Sequence, residues 1–381
     1  MSKKPSEFQK ERLEWSRWKH AILEGYLPQM AIILRRFGPA YIVDGFAGPG
    51  RYIDDDQDGS PLLAARHAAE LEAFNSDYQL RCINVEQNKE VFSNLQKATM
   101  PFERFVTNYQ GNFSAFVPAI LQAISDKPTL FFLDPIGLRG LEWDSLLPIL
   151  GRTEEQGKTE LLIRYDAQTA LRNKDINQSL LLDVFGVDDA SYWEEYIVQC
   201  GEDVSCRKDG MTSAYEDRLR TNFDYVTRIP IQRRDEQLKY YLIFATRSLK
   251  GVAVMNDVLF NVKDIRDTVL DSERRARNIP KQLGMFEPTP DEELIDLLEV
   301  LKESILKVLP KGESQRRDDL RATVALQEGN FGLFSGSHFT AVLGGSARNV
   351  KMPRGFVSLK KRIEVTEETP GSHYAYIRRV S

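Results

Sequence analysis

Acidic residues and glycines follow several short apolar runs of this sequence, in a pattern typical of a nucleotide pocket. The first such motif is Asp44-Gly45-Phe46-Ala47-Gly48-Pro49-Gly50, which comes directly after the apolar run 41–43. Glycine lets the backbone turn sharply and approach a ligand closely, because it has no Cβ. We expect a helix to start at Ser60, with Pro61 in its first turn. A strand, a glycine-rich turn and a helix in this order predict a ligand crevice in an open α/β sheet.

Further candidate ligand contacts follow the second and third apolar runs. Glu86 ends the run 80–85, where a carboxylate can accept hydrogen bonds from both ribose hydroxyls of an adenosine cofactor. Asn112 can place its amide against the adenine edge, with Phe113 beside the ring. The predicted cofactor-binding residues are Asp44, Gly45, Phe46, Ala47, Gly48, Gly50, Glu86 and Asn112. The structural alternatives are a turn cap for Asp44, a solvated acid at a helix start for Glu86 and an N-cap for Asn112.

The motif Asp134-Pro135-Ile136-Gly137 follows the fourth apolar run, 129–133, and distinguishes between classes of enzyme. An acid and rigid backbone carbonyls there can accept the hydrogens of an exocyclic amine and aim its lone pair at a methyl-sulfonium. S-adenosyl-L-methionine (AdoMet) is cationic at sulfur, so acids near the pocket help to hold it. We therefore predict that Asp134 and Pro135 are catalytic and that Ile136 and Gly137 contact the substrate. The alternative for Asp134 is a turn-closing role before Pro135.

Strand and helix patterns alternate through the first two thirds of the sequence. Strands are predicted near 41–43, 80–85, 104–107, 129–133 and 160–165, and helices near 60–74, 88–98, 112–124 and 142–151. This alternation predicts parallel βαβ units. Residues 225–231 and 240–245 form a further strand pair without a crossover helix, so we expect it to be antiparallel. The predicted fold is α/β, a Rossmann-like class I methyltransferase sheet that is parallel except for an antiparallel last strand.

The predicted domain organisation has four parts. Residues 1–37 form a helical segment that Pro28 is expected to kink or split, and residues 38–265 form the methyltransferase-like domain with an irregular insertion at 166–222. Residues 266–290 are a predicted linker, and residues 291–381 a winged-helix-like domain of three helices and a terminal hairpin. The basic stretch 348–381 suits phosphate contacts, with Arg348, Lys351 and Arg354 as candidates. A solvated surface or a protein-docking face is the alternative.

Composition limits the class of protein. The chain has 381 residues, 42% of them hydrophobic, and a net charge of −5, so it is globular and not a basic nucleic-acid wrapper. No apolar run approaches the ~20 residues of a membrane span, and the polar N-terminus resembles no signal peptide. The three cysteines have no metal-binding spacing, so we expect no metal site. Cys200 and Cys206 are expected to be ordinary thiols in a reducing cytoplasm.

The motifs at 44–50, 59–61, 132–137 and 239–246 resemble those of the three-Cys-motif partner (TcmP) family. The resemblance covers roughly residues 15–265, and a C-terminal winged helix is typical of the family. It implies a class I AdoMet-dependent methyltransferase fold related in pattern to adenine-N6 and ribosomal RNA methyltransferases. It also implies a cofactor pocket at Phe46, Gly48, Gly50, Glu86 and Asn112, with Asp134 and Pro135 at the reactive end. The family name refers to cysteines of a partner protein, which is the expected protein partner.

One departure from the pattern bears on the substrate. Amino-methyltransferases of nucleic acid usually carry Asp/Asn-Pro-Pro-aromatic, whereas this chain has Ile136 and Gly137 after Pro135. Trp143, or an aromatic residue of 166–222, can substitute for the missing base-stacking ring. Lys19 and His20 of the first helix can reach over the pocket, although a lone histidine is more often structural.

Two functions remain open from the sequence. The first is an AdoMet-dependent methyltransferase acting on a nucleic-acid amine, of the adenine-N6 kind. The second is an AdoMet-binding regulatory protein, inactive alone or dependent on a partner, in a mobile-element or phage-defence system. A nicotinamide oxidoreductase is disfavoured by the Asp134-Pro135 motif and the reversed strand pair. The sequence gives no oligomeric state.

Overall fold

The structure of the chain is a computed structural model that describes residues 7–51, 58–232, 238–276, 290–345, 350, 353, 356–367 and 375–380. The chain divides into two compact units, Met1–Arg247 and Ser248–Ser381. Within the described residues, no helix combines the length and the apolar character that crossing a bilayer requires.

A seven-stranded sheet forms the centre of the first unit. Its strands are β1 (Ala40–Asp44), β2 (Leu80–Glu86), β3 (Val106–Gln110), β4 (Thr129–Leu133), β5 (Thr159–Tyr165), β6 (Tyr225–Gln232) and β7 (Leu238–Thr246). The spatial order is β3-β2-β1-β4-β5-β7-β6. β1 to β5 pair in parallel, and β7 is antiparallel to both β5 and β6. The prediction of a Rossmann-like class I methyltransferase sheet is confirmed.

Helices cover the strands, which explains why the central strands read as continuous apolar runs. All five residues of β4 are buried. The helices are α1 (Glu7–Leu34), α2 (Ser60–Phe74), α3 (Lys89–Thr99), α4 (Phe113–Ile124) and α5 (Trp143–Leu150). Helix α1 continues through Pro28 instead of splitting there. Leu27 and Met30 are buried on either side of the proline, so packing holds the helix together despite the missing N–H.

The segment predicted as an irregular insertion is mostly helical. It contains α6 (Ala167–Ile176), α7 (Gln178–Phe185), α8 (Ser191–Ile197) and α9 (Val204–Arg220). Its aromatic residues belong to the core of the first unit, where Trp193, Tyr215 and Phe185 are fully buried. A bidentate ion pair attaches α9 to β6, because Arg228 donates to both carboxylate oxygens of Glu216 at 2.9 and 2.6 Å.

The expectation of two free thiols at Cys200 and Cys206 is wrong, because the two residues form a disulfide. Asp203, the N-cap of α9, accepts hydrogen bonds from the backbone N–H groups of Ser205 and Cys206. This cap and the turn at Gly201 bring the two cysteine Cα atoms to 5.5 Å. Such a separation is within the normal range for a disulfide.

The second unit contains helices and a three-stranded antiparallel sheet. Its helices are α10 (Leu249–Ala276), α11 (Pro290–Val308), α12 (Arg317–Ala325) and α13 (Gly336–Val342). Strands β8 (Ser314–Arg316), β9 (Ile363–Glu367) and β10 (Ala375–Arg379) lie in the order β8-β10-β9. The helix predicted near 314–328 therefore starts later, because residues 314–316 pair with β10. Helix α10 includes the start of the predicted linker 266–290, of which residues 277–289 lie outside the described residues.

Candidate functional site

The candidate site lies at the carboxyl ends of β1, β2 and β4. β1 and β4 are neighbours near the centre of the sheet. From β1 the next strands, β2 and β3, are added in one direction, and from β4 the next strand, β5, is added in the opposite direction. Ligands of open α/β sheets bind in the crevice where the strand order reverses. Asp44 ends β1, Glu86 ends β2 and Asp134 directly follows β4. The topology therefore brings the three predicted acids to one edge of the sheet.

Backbone hydrogen bonds attach the loop after β1 to both neighbouring strands. The N–H of Gly45 donates to the carbonyl of Phe132 at 3.0 Å, and the N–H of Ala47 donates to the carbonyl of Val85 at 3.0 Å. A Cβ on Gly45 would lie 2.8 Å from Leu133. The close approach of this loop to β4 therefore requires glycine at position 45.

Asp44 holds the loop from inside. Its carboxylate accepts a hydrogen bond from the Phe46 N–H at 3.1 Å and another from the Ser60 hydroxyl at 2.6 Å. The side chain is 1% exposed. Burial raises the pKa of Asp44 to about 6, although both hydrogen bonds and the charge of Lys19 oppose the rise. Asp44 thus acts on a ligand mainly through its charge and the shape of the loop.

Glu86 and Gly48 form the part of the site that faces open space. The Glu86 carboxylate accepts from the Gly48 N–H at 2.9 Å through one oxygen and from the Asn88 N–H at 2.7 Å through the other. Gly48 has a φ of +67°, and a Cβ placed on it would have no atom of the described residues within 4 Å. Each Glu86 oxygen keeps a lone pair for a further donor. A fixed carboxylate therefore stands beside an unfilled space above the loop.

Gly50 has a packing role in the same loop. Its φ is +78°, and a Cβ there would lie 3.0 Å from Ala98 and 3.3 Å from Leu95 of α3. Its carbonyl accepts from the Gly59 N–H at 2.7 Å, which closes the loop before α2. Gly50 allows the loop to pass close to α3 and does not face the open space that Gly48 faces.

Asn112 precedes α4, and its side chain makes no capping hydrogen bond to that helix. The residue is exposed, so its amide is available to a ligand. Aromatic rings lie near it: Phe113 packs 6.0 Å from Phe46 between ring centroids, and Tyr109 stacks on Phe116 at 4.9 Å. The N-cap alternative for Asn112 thus lacks the hydrogen bond that it requires.

Asp134 pairs with two cations that come from different parts of the fold. Lys19 of α1 contacts its Oδ2, and Nη1 of Arg164 on β5 lies 3.6 Å from its Oδ1. Arg164 Nη1 also donates to the Pro135 carbonyl at 3.4 Å, and its guanidinium stacks 4.5 Å above the Tyr240 ring. Pro135 is buried. The Asp134-Pro135 pair is therefore held in place from two sides.

The two residues after Pro135 form the outer part of the motif. Ile136 is 88% exposed and is thus accessible from solvent. Gly137 has a φ of +84°, a conformation that favours glycine. Trp143, which we considered as a base-stacking substitute, is buried in the core with 3% exposure. It is therefore not available for stacking on a substrate.

Sequence reasoning named Lys19 only together with His20, and it missed Arg164. His20 is buried, and burial lowers its pKa to about 3, so it is neutral near pH 7. Arg164 has one sequence signal, since it is a cation directly after the apolar residues 161–163 of β5. Arg348, Lys351 and Arg354 lie outside the described residues.

Comparisons with known proteins give similarity to solved structures only. No family model matches the chain, and no curated protein does. The O-methyltransferase TomG of Streptomyces achromogenes, solved in complex with SAM, is 11% identical over 58% of this chain and 79% of its own, with a TM-score of 0.34. A candidate O-methyltransferase of Klebsiella pneumoniae is 9% identical over 62% and 89%, with a TM-score of 0.32. A candidate rRNA methylase of Clostridium thermocellum is 12% identical over 58% and 96%, with a TM-score of 0.28.

Such distant similarity does not transfer an activity to this chain. The strand order itself gives the first unit its class I methyltransferase-like sheet. Its function has to be inferred from the residues at the carboxyl edge.

Proposed function

We propose that the first unit binds AdoMet and transfers its methyl group to an amine of a nucleic acid. The observation that carries the proposal is the pairing of Glu86 with Gly48 beside an unfilled space at the strand ends. The backbone donors of Gly48 and Asn88 fix the carboxylate, and its remaining lone pairs suit the two hydroxyls of a ribose.

Further residues of the site fit the other parts of this cofactor. Asn112 has a free amide for the adenine edge, and Phe46 and Phe113 offer apolar surface close by. Ionised Asp44 and Asp134 are negative charges at the same edge, and they favour a ligand that is cationic at sulfur. Bound AdoMet would supply an electrophilic methyl group.

The proposed catalytic contribution of the protein is to orient the acceptor. Asp134 and the Pro135 carbonyl accept hydrogens of the amine, while Ile136 and Gly137 contact the substrate around it. The nitrogen lone pair would form the new N–C bond as the C–S bond of AdoMet breaks. The electron pair of the broken C–S bond would stay on sulfur. The nitrogen then releases a proton to Asp134 or solvent. Most of the rate enhancement comes from proximity and alignment.

In this proposal the second unit binds the substrate through phosphates. The order of α11, β8, α12, α13, β9 and β10 supports a winged-helix-like domain. Exposed cations near its strands support contact with a polyanion: Lys360, Lys361, Arg362 and Arg378. We propose phosphate contacts for three further cations of the same basic stretch: Arg348, Lys351 and Arg354.

The second candidate function is an AdoMet-binding regulatory protein that needs a partner, such as a three-Cys-motif protein of a mobile-element or phage-defence system. One observation favours it: Asp134 already pairs with Lys19 and Arg164 and has no free oxygen at the surface. Gly137 also stands where an aromatic ring is usual, and Ile136 where a second proline is usual. This function predicts AdoMet binding without methyl transfer by the purified chain.

The binding step is tested by Gly48→Ala, with Gly38→Ala as the matched control. Both glycines have positive φ, so each alanine strains the backbone, and Gly38, with a ψ of −156°, lies in a region that essentially only glycine adopts. The new methyl at position 48 enters the open space, whereas Gly38 precedes β1 at the opposite edge of the sheet. Calorimetry should show AdoMet bound by the native chain and by Gly38→Ala, and at least tenfold weaker binding to Gly48→Ala. Equal affinities for the two variants would contradict the proposed pocket.

The transfer step is tested by Asp134→Ala, with a pool of single-stranded DNA and RNA oligonucleotides and methyl-labelled AdoMet. We expect the variant to bind AdoMet and to transfer no methyl group. AdoMet binding by the native chain without transfer to any oligonucleotide would favour the regulatory function.

A further inference from the structure

Lys19 lies at the position on Asp134 that an acceptor amine would take. Its ammonium contacts Oδ2 of Asp134, and only 7% and 14% of the two side chains are exposed. The other carboxylate oxygen, Oδ1, is buried and accepts no hydrogen bond from the part of the chain that the structure describes. In this arrangement Oδ2 of Asp134 already faces the ammonium, and Oδ1 is closed to solvent.

Two contacts hold α1 against the sheet, one at each edge. Lys19 reaches Asp134 at the carboxyl edge, and seven residues later the Tyr26 hydroxyl donates to Glu160 at 2.6 Å. Seven residues of helix span about 10 Å. Glu160 pairs with Leu130 in register, so Asp134 lies four residues further along β4, about 13 Å away. The distance along the helix and the distance along the strand are similar, which shows that α1 runs along the strands. Lys19 lies at the carboxyl edge of the sheet, where the candidate site is.

The environment of Lys19 is adapted to a cation. Its ammonium lies 5.6 Å from the centroid of the Phe132 ring, on the strand that leads to Asp134. Its charge also acts on Asp44, where it opposes the rise of the pKa that burial causes. The neighbouring His20 is buried and has a lowered pKa, so it is neutral near pH 7. Among the described side chains of α1, Lys19 thus supplies positive charge to the acids at this edge.

We propose that Lys19 is an internal occupant of the acceptor position, and that an acceptor binds only by supplying a hydrogen-bond donor in its place. This inference rests on the proposed function. Without Lys19 the mostly buried carboxylate keeps, among the described residues, only Arg164, at 3.6 Å from Oδ1, and no direct hydrogen bond. Departure of the lysine is therefore disfavoured until another donor arrives. An amino group meets this requirement, whereas a carbon nucleophile or a carboxylate does not. Lys19 therefore selects acceptors that carry an N–H or O–H donor, amines among them, and keeps the site closed to acceptors that carry none.

The contact itself is tested by a zero-length cross-link. A carbodiimide activates the Asp134 carboxylate, the Lys19 amine attacks the acyl carbon, and an amide forms as the reagent leaves as its urea. We expect a peptide that joins Lys19 to Asp134 in the mass spectrum of the native chain. The exposed pair Lys250–Asp318, at 2.9 Å, is the positive control for the reaction. A control cross-link without the Lys19–Asp134 cross-link would overturn the inference.

The acceptor role is tested by Lys19→Met, with Lys302→Met as the matched control. Lys302 also pairs with an acid, is 18% exposed and lies over an aromatic ring, that of Phe356 at 5.3 Å. Removing the occupant should lower KM for the oligonucleotide pool at least threefold, and Lys302→Met should leave it unchanged. Lys19→Leu also carries neither charge nor donor, and it replaces Lys19→Met if that variant does not fold.

The outcomes separate this inference from the proposed function. A lower kcat at unchanged KM in Lys19→Met would mean that Lys19 positions Asp134, and would overturn the acceptor role. AdoMet binding without methyl transfer by either the native chain or Lys19→Met would overturn it as well. A native chain that forms the cross-link but binds no AdoMet would refute the proposed function, while the contact between α1 and Asp134 would stand.

Discussion

Replacing Asp44 by asparagine should stabilise the first unit at neutral pH. The carboxyl is 1% exposed, and burial raises its pKa from 3.8 to about 6 in the folded chain. Between about pH 4 and pH 6 the folded state keeps this proton and the unfolded state has released it. The free energy of unfolding therefore falls as the pH rises through this range, by about 3 kcal/mol in total. Asparagine carries no charge and avoids this loss.

The amide can keep both contacts of the carboxylate, although the Ser60 hydroxyl then turns from donor to acceptor. The amide oxygen can accept from the Phe46 N–H, and the amide nitrogen can donate to the Ser60 hydroxyl, which also accepts. We therefore expect equal stabilities of the two proteins near pH 4. At pH 7 the free energy of unfolding should be up to about 3 kcal/mol higher for Asp44→Asn.

Tryptophan fluorescence during urea unfolding is the appropriate assay. All four tryptophans of the chain, at positions 15, 18, 143 and 193, belong to the first unit. The signal therefore reports on that unit alone. Titrations between pH 4.5 and 7.5 should show a falling stability for the native chain relative to Asp44→Asn. Asp126→Asn is the control, because this acid is exposed and a hydrogen bond to Lys127 lowers its pKa.

Two results would refute the reasoning on Asp44. Parallel stability curves for the native chain and Asp44→Asn would mean that the carboxyl is not destabilising when ionised. A lower stability of the variant at pH 7 would mean that the charge itself is needed to hold the loop. Under the proposed function the variant should also lose more affinity for AdoMet than for S-adenosyl-L-homocysteine, because only AdoMet is cationic at sulfur.

Two further predictions concern the helical segment between β5 and β6. Arg228→Met leaves the buried Glu216, whose side chain is 4% exposed, without its bidentate partner. The free energy of unfolding should fall by about 3–5 kcal/mol in urea titrations, and a loss below about 1 kcal/mol would contradict this. The double change Cys200→Ser with Cys206→Ser should lower it by about 2 kcal/mol, because the native bond closes a short loop. Mass spectrometry of the unreduced native chain should detect that bond, and free thiols would contradict it.

The fold of the first unit could be predicted from the sequence because its signals are local. Helix α2 begins and ends as predicted, since Ser60 and Pro61 mark its start and Gly59 precedes it. β4 is an uninterrupted apolar run because helices cover both faces of the sheet. The two strands β6 and β7 follow one another without a helix, which requires an antiparallel pair.

The helices of residues 166–222 were missed for a physical reason. They are short, so none provides the several turns that a clear apolar period requires. Their buried faces use aromatic residues such as Trp193 and Tyr215, which also suit a substrate surface. The disulfide was missed because a separation of six residues does not show whether two cysteines meet. Their distance depends on the turn and on the cap of α9.

Local residue patterns are enough to predict that acids and glycines meet at the carboxyl edge of a parallel sheet. Asp44, Gly48 and Glu86 lie at strand ends and in a turn, which neighbouring residues specify. The contacts of Asp134 depend instead on tertiary packing. Lys19 is 115 residues away along the chain and reaches Asp134 because α1 packs along the strands. Such a contact depends on how two distant elements are placed, and no local pattern of residue types records that placement.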